Sequence, residues 1–175
     1  MSGVQTTPVT GAPARFVTLI ADADTECPAL LSYLHQHIPL TRSMQVNTAS
    51  LDVHGLALET PLAPNHNHKA SAFGGSIASL AMLAGWGLVW LALEHGHGTT
   101  IVVRDVRLEY LRPVRDVFRA VCAFPAAKTW ERFMHTLGRR HKARLDLDIA
   151  IICGEAVCAG CTGRFVAYHP ARGNG

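Results

Sequence analysis

The sequence predicts a two-layer α+β domain, with one long apolar helix packed on one curved antiparallel sheet. Three observations predict it. An uncharged stretch, IASLAMLAGWGLVWLAL, follows a glycine pair near the middle of the chain. Segments with alternating apolar residues lie on both sides of that stretch. Short turns separate most of those segments, which calls for antiparallel pairing around one helical layer. At 175 residues, with 49% hydrophobic and 17% charged content, the chain has the size of a single domain and is too apolar for global disorder.

The start, MSGVQTTPVTGAPAR, lacks the basic end and apolar run of a signal peptide. Residues 1–24 are expected to form a flexible tail and residues 25–170 the domain, although residues 16–20 are apolar enough to pack. DADTECPALLSYLHQHIPL reads as a helix with Asp24 or Thr25 as N-cap and Pro28 in the first turn, ended by Pro39. SMQVNTASLDV and HGLALETPL follow as two strands joined at His54 and Gly55. After the apolar helix, TTIVVRDVRLEYLRPV and DVFRAVCAF give two more strands. KTWERFMHTLGRR has Trp130, Phe133, Met134 and Leu137 at helical spacing, with Gly138 as the expected stop. KARLDLDIAIICG and EAVCAGCTGRFVAYH close the chain as a hairpin around Gly154.

Residues 76–93 carry no charge over 18 positions, the threshold length for a membrane span. Gly85 and Gly87 interrupt the run, and its flanks show no lysine or arginine bias. A helix apolar on all sides is equally what a sheet wrapped around it requires. A core helix is therefore expected, with no membrane partner. The net charge of +3 is too small to call for nucleic acid. Five cysteines without framework spacing (Cys27, Cys122, Cys153, Cys158, Cys161) fit a reducing cytoplasm.

IPLTRSMQV, PLAPNHNHKASAFGGSIASLAMLAGWGL and IVVRDVRLEYLRPV, with the C-terminal hairpin, resemble the YiiD C-terminal-domain family of thioesterase-like hot-dog proteins, over residues 27–168. The resemblance implies a hot-dog fold, an antiparallel sheet wrapped around a long central helix. It implies action on acyl thioesters of coenzyme A or acyl carrier protein, with no cofactor. The family includes malonyl-acyl carrier protein decarboxylases, for which an active-site asparagine is expected. It also implies a homodimer, leaving open whether dimers assemble further.

The chemistry is expected at PNHNHKASAFGGS. The first amides of a helix lack intrahelical acceptors and carry partial positive charge. Gly74 and Gly75 would let a thioester carbonyl approach them as in an oxyanion hole; the alternative is that the glycines merely allow close packing. Asn67 and Asn65 are the catalytic candidates because a carboxamide donates to a developing enolate without a proton transfer. Asn67 is preferred because its distance from the glycine pair resembles that of the asparagine in phenylacetyl-CoA-type hot-dog thioesterases. Both asparagines could instead cap turns. His66, His68, Phe73, Ser76 and Met82 are the substrate-binding candidates.

Those thioesterases commonly place a carboxylate one to two turns into the helix, where this chain has Met82. A hydrolase would need its base elsewhere, with His66, His68, Asp105, Glu109 or Glu59 as candidates. Decarboxylation of a malonyl thioester needs donors for an enolate and a dry pocket but no activated water. The missing acid favours a malonyl-acyl carrier protein decarboxylase feeding acetyl units into fatty-acid synthesis. An acyl-CoA or acyl-carrier thioesterase with a base from the partner subunit is the alternative, and a non-catalytic acyl-thioester-binding module the third.

Four weaker signals remain. His66 and His68 lack a third ligand with metal-site spacing, so no metal is expected. Cys158 and Cys161 have redox spacing but read as buried thiols in a strand, unless Gly160 introduces a bulge. Arg104, Arg107, Arg112, Arg115 and Arg119 either form a solvated face or dock an acidic carrier or coenzyme A phosphates. His95 and His97 suit the C-terminal dipole of the long helix, and Trp86 and Trp90 read as core or dimer packing.

Overall fold

In the computed structural model, residues 13–96 and 98–170 are described. They run through α1 (Ala14–Ala21), α2 (Ala23–His37), α3 (Pro39–Ser43), β1 (Asn47–Asp52), β2 (Gly55–Thr60), α4 (Gly74–Ala92), β3 (Thr100–Tyr110), β4 (Phe118–Cys122), α5 (Ala127–Arg140), β5 (Lys142–Cys153) and β6 (Ala156–Tyr168). The six strands form one sheet in the order β1-β2-β4-β5-β6-β3, with every neighbouring pair antiparallel. Inward positions on β5 (Ala143, Leu145, Leu147, Ile149, Ile151) alternate with exposed or half-buried ones, the period-2 pattern of a sheet with one buried face.

The apolar stretch is α4, and the sheet wraps it. From Ile77 onward most of its side chains are buried, and it meets β2, β3, β4, β5 and β6. It is long and apolar enough to cross a membrane, but two-thirds of its most apolar part is buried inside the protein. The helix glycines explain how: the Phe165 ring occupies the space a Cβ on Gly85 would need, and a Cβ on Gly87 would lie 3.0 Å from Leu30. They admit β6 and α2 to the helix surface. This is the hot-dog arrangement.

Several expectations need correction. The tail expected over residues 1–24 is instead helical from Ala14, and Phe16 and Leu19 of α1 are fully buried. Phe16 packs on Phe124 and Trp130, with ring centroids 4.5 and 5.1 Å away, so distant segments hold it; residues 1–12 lie outside the described residues. Asp22, rather than Asp24 or Thr25, precedes α2, its carbonyl accepting from Thr25 and Glu26, both at 2.9 Å. Pro28 therefore sits inside α2 rather than in its first turn. Gly138 does not stop α5, which continues to Arg140 and ends at His141 in the left-handed region, φ 54°. The bulge in β6 falls at Cys158 rather than Gly160: Ile151 pairs with Ala159 and Ile152 with Val157. A bulge at Arg104 in β3 keeps Val103 and Val106 both facing inward across from Phe165 and Gly163.

Candidate functional site

The site forms where three segments converge on the N-terminus of α4. Residues 61–73 arrive as a short 3-10 turn over Ala63–Asn65 and then a single bridge between His66 and Ala72. Asn65 pins this segment. Its buried Nδ2 faces Met44 O (2.9 Å), Thr60 Oγ1 (2.9 Å) and Pro61 O (2.8 Å), while its backbone oxygen accepts from Phe73 N at 2.7 Å. The amide nitrogen that was to contact substrate is thus spent on the loop. Asn65 clamps the site instead of lining it.

Two residues on, Asn67 is placed differently. Its Oδ1 accepts from Lys69 N (2.8 Å), Ser71 N (3.3 Å) and Ser71 Oγ (3.3 Å), which fixes the carboxamide plane. Its Nδ2 makes one long bond, 3.4 Å to Ala72 O, so donor capacity remains. Asn67 therefore caps a turn, as the plainer reading of the sequence had it, and also lines a cleft of about 530 Å³ together with Gly74 and Gly75. The amides of Gly74, Gly75 and Ser76 begin α4, before the first bond of the helix from Ile77 N to Phe73 O at 3.1 Å. Ile77, Leu111 and Val114 supply apolar wall.

The opposite wall is the end of β3, and the sequence reading did not assign it to the site. Tyr110 donates from Oη to Gly74 O at 2.8 Å, and a Cβ on Gly74 would lie 3.0 Å from that oxygen. The glycine at this position lets the tyrosine approach without a tight contact. Partial burial pushes the phenol pKa up, so Tyr110 keeps its proton and acts as a donor. Arg112 also lines the cleft, one of the five arginines noted for basic character. The available signal was EYLRP, a strand that must end at Pro113. A bond from Ala72 N to Val114 O, 2.8 Å, ties this stretch to the asparagine loop.

The other candidates are not brought into the cleft. His66 and His68 are exposed, and the His66 Nδ1 is 2.8 Å from Ala63 O. Phe73 is 57% exposed with its ring over Gly75; Ser76 and Met82 are half-buried along α4. Of the candidate bases, Asp105 lies 3.9 Å from Arg164 and Glu59 4.0 Å from Arg119, and Glu109 faces away with Arg107. No Asp, Glu or His lines the cleft among the described residues. A hollow of similar volume on the outer sheet face, beside Arg107 and Asp148, has neither a helix N-terminus nor a carboxamide.

The remaining motifs resolve locally. Cys158 and Cys161 are buried free thiols whose pKa burial raises, the inert reading. His95 lies beyond the end of α4, 2.7 Å from Glu26 and stacked on Trp90; His97 is outside the described residues. Trp90 is buried, and Trp86 donates to Ile101 O at 3.1 Å.

A family model described as "Putative thioesterase (yiiD_Cterm)" matches residues 27–169. The chain belongs to this family. Among solved structures, a protein of unknown function from Chlorobaculum tepidum TLS is 28% identical with a TM-score of 0.78, over 83% of this chain and 95% of that one. A thioesterase-family protein from Shewanella oneidensis is 29% identical with a TM-score of 0.72, over 83% and 98%. The E. coli PaaI protein of the phenylacetic acid degradation operon, 14% identical with a TM-score of 0.58 over 83% and 94%, shares the fold. Membership in the YiiD C-terminal family supports activity on acyl thioesters.

Proposed function

We propose that this member of the YiiD C-terminal family decarboxylates malonyl-acyl carrier protein. One observation carries the reading: the cleft combines helix amides, the Asn67 carboxamide and the Tyr110 hydroxyl with apolar wall, and no carboxylate or histidine lines it among the described residues. In the proposed reaction the bond between the malonyl α-carbon and its carboxylate breaks and carbon dioxide leaves. The electron pair passes to the thioester carbonyl, giving an enolate. The amides of Gly74 and Gly75 with Asn67 Nδ2 stabilise its oxygen. The α-carbon then takes a proton from water, leaving an acetyl thioester. No water need be deprotonated, so no general base is required.

Hydrolysis is the second reading, favoured by the family description and by β3, which among the described residues pairs only with β6 and stands at the edge of the sheet beside the cleft. A second copy pairing there in a homodimer could supply the missing base. Intact-mass analysis of malonyl-carrier incubated with the full chain separates the two. Conversion to acetyl-carrier, reduced on the order of a hundredfold or more by Asn67→Ala, is expected. Free carrier thiol in place of acetyl-carrier would overturn decarboxylation.

A further inference from the structure

The positive charge of the chain is concentrated far from the glycine pair. Residues 128–144 hold six lysines and arginines (Lys128, Arg132, Arg139, Arg140, Lys142, Arg144) against one acid, Glu131. That segment is +5, while the whole chain is +3, so everything else sums to −2. None of the six cations is in an ion pair among the described residues. On α5, Lys128, Arg132, His135 and Arg139 recur every three to four residues, forming one stripe opposite the buried Trp130, Phe133 and Leu137. The stripe is roughly 16 Å long at the rise of an α-helix. A groove of about 690 Å³ continues it between α5 and the start of β5, walled by Arg132, Arg140, Lys142 and Arg144, with its one acid, Asp146, neutralised by Arg164 at 2.7 Å.

We propose that this face of α5 and β5 is a docking surface for an acidic carrier protein, and this rests on the reading of the cleft as an acyl-thioester site. The charges spread along three helical turns instead of converging, which suits an acidic helix better than one phosphate group. No exposed large aromatic side chain lies on the stripe for bases to stack on, which disfavours single-stranded nucleic acid. The near end of the stripe is the end closer to the cleft: the chain enters α5 just after Ala123, whose N–H donates to Asp148 O at 3.3 Å. Asp148 is three residues along β5 from Ile151, which is level with Ala159 and, across it, Tyr110.

The test titrates fluorescent holo-acyl carrier protein against the full chain by anisotropy. Arg132→Glu with Arg139→Glu is compared with Arg104→Glu with Arg107→Glu, which changes net charge equally on β3. The first pair should raise the Kd about tenfold or more and flatten its salt dependence, with the second near wild type. Equal loss in both pairs would mean general electrostatic attraction and overturn the surface. So would unchanged binding in the first pair, absence of carrier binding by wild type, or a DNA duplex that binds more tightly than carrier and depends on the same arginines. Carrier that binds through α5 but is never turned over would defeat the activity reading and leave the docking surface standing.

Discussion

The two ends of α4 are treated in opposite ways. At its C-terminus the last carbonyls are answered from within the chain: Arg15 of α1 donates from Nη2 to Leu91 O at 2.7 Å and from Nε to Ala92 O at 3.2 Å. A cation there also suits the negative end of the helix dipole. The flanking side chains from Leu88 to Leu93 are all buried. At its N-terminus no side chain caps the helix, and its first residues, Gly74, Gly75 and Ser76, are half-exposed along an open cleft. One end is stabilised by the fold, and the other leaves its amides open to the cleft. A largely buried helix can carry an open terminus only if its anchoring is done elsewhere.

Three substitutions sharpen this contrast, beginning with the largest expected effect. Phe16→Ala empties a fully buried site beneath the anchored end and should lower stability by about 3–5 kcal/mol in denaturant titration. Turnover per folded molecule should stay at wild type; a small loss of stability would mean α1 is dispensable. At the open end the expected pattern reverses. Gly74→Ala puts a methyl 3.0 Å from the Tyr110 hydroxyl, crowding the approach to the helix amides, and should reduce kcat/KM about tenfold, equivalent to about 1.4 kcal/mol of transition-state energy, with little change in Tm. Unchanged kinetics would show that close approach to this amide does not matter. Arg15→Ala should cost about 1 kcal/mol of stability and leave kinetics alone, because its two bonds serve only the anchored end. A kinetic effect from Arg15 would show that the two ends are coupled.

Legibility followed how local each determinant is. The hairpin through Val53 and His54, the β5–β6 turn at Gly154 and the apolar helix depend on neighbours in sequence, and their patterns located them. Asn65 and Asn67 lie two positions apart, and only a resemblance in spacing to the glycine pair favours Asn67 in the sequence. Burial distinguishes them, because Asn65 meets Met44 and Thr60, which no local pattern connects to it. Tyr110 escaped notice for a similar reason: only the pairing of β3 at the sheet edge sets it across from Gly74. The eight residues of α1 predict little on their own; Phe124 and Trp130, more than a hundred positions away, give it a place to pack.

By itself the sequence determined the α+β class, the long central helix and the position of the glycine pair at its head, since periodicity and glycine placement act over a few residues. Only the tertiary structure decided that Asn65 is a buried clamp, that Tyr110 and Arg112 form the far wall of the cleft, and that α1 secures the other end of α4. Those outcomes depend on contacts between segments distant in the chain. Their geometry follows from strand order and side-chain volume, neither of which a short stretch of sequence contains.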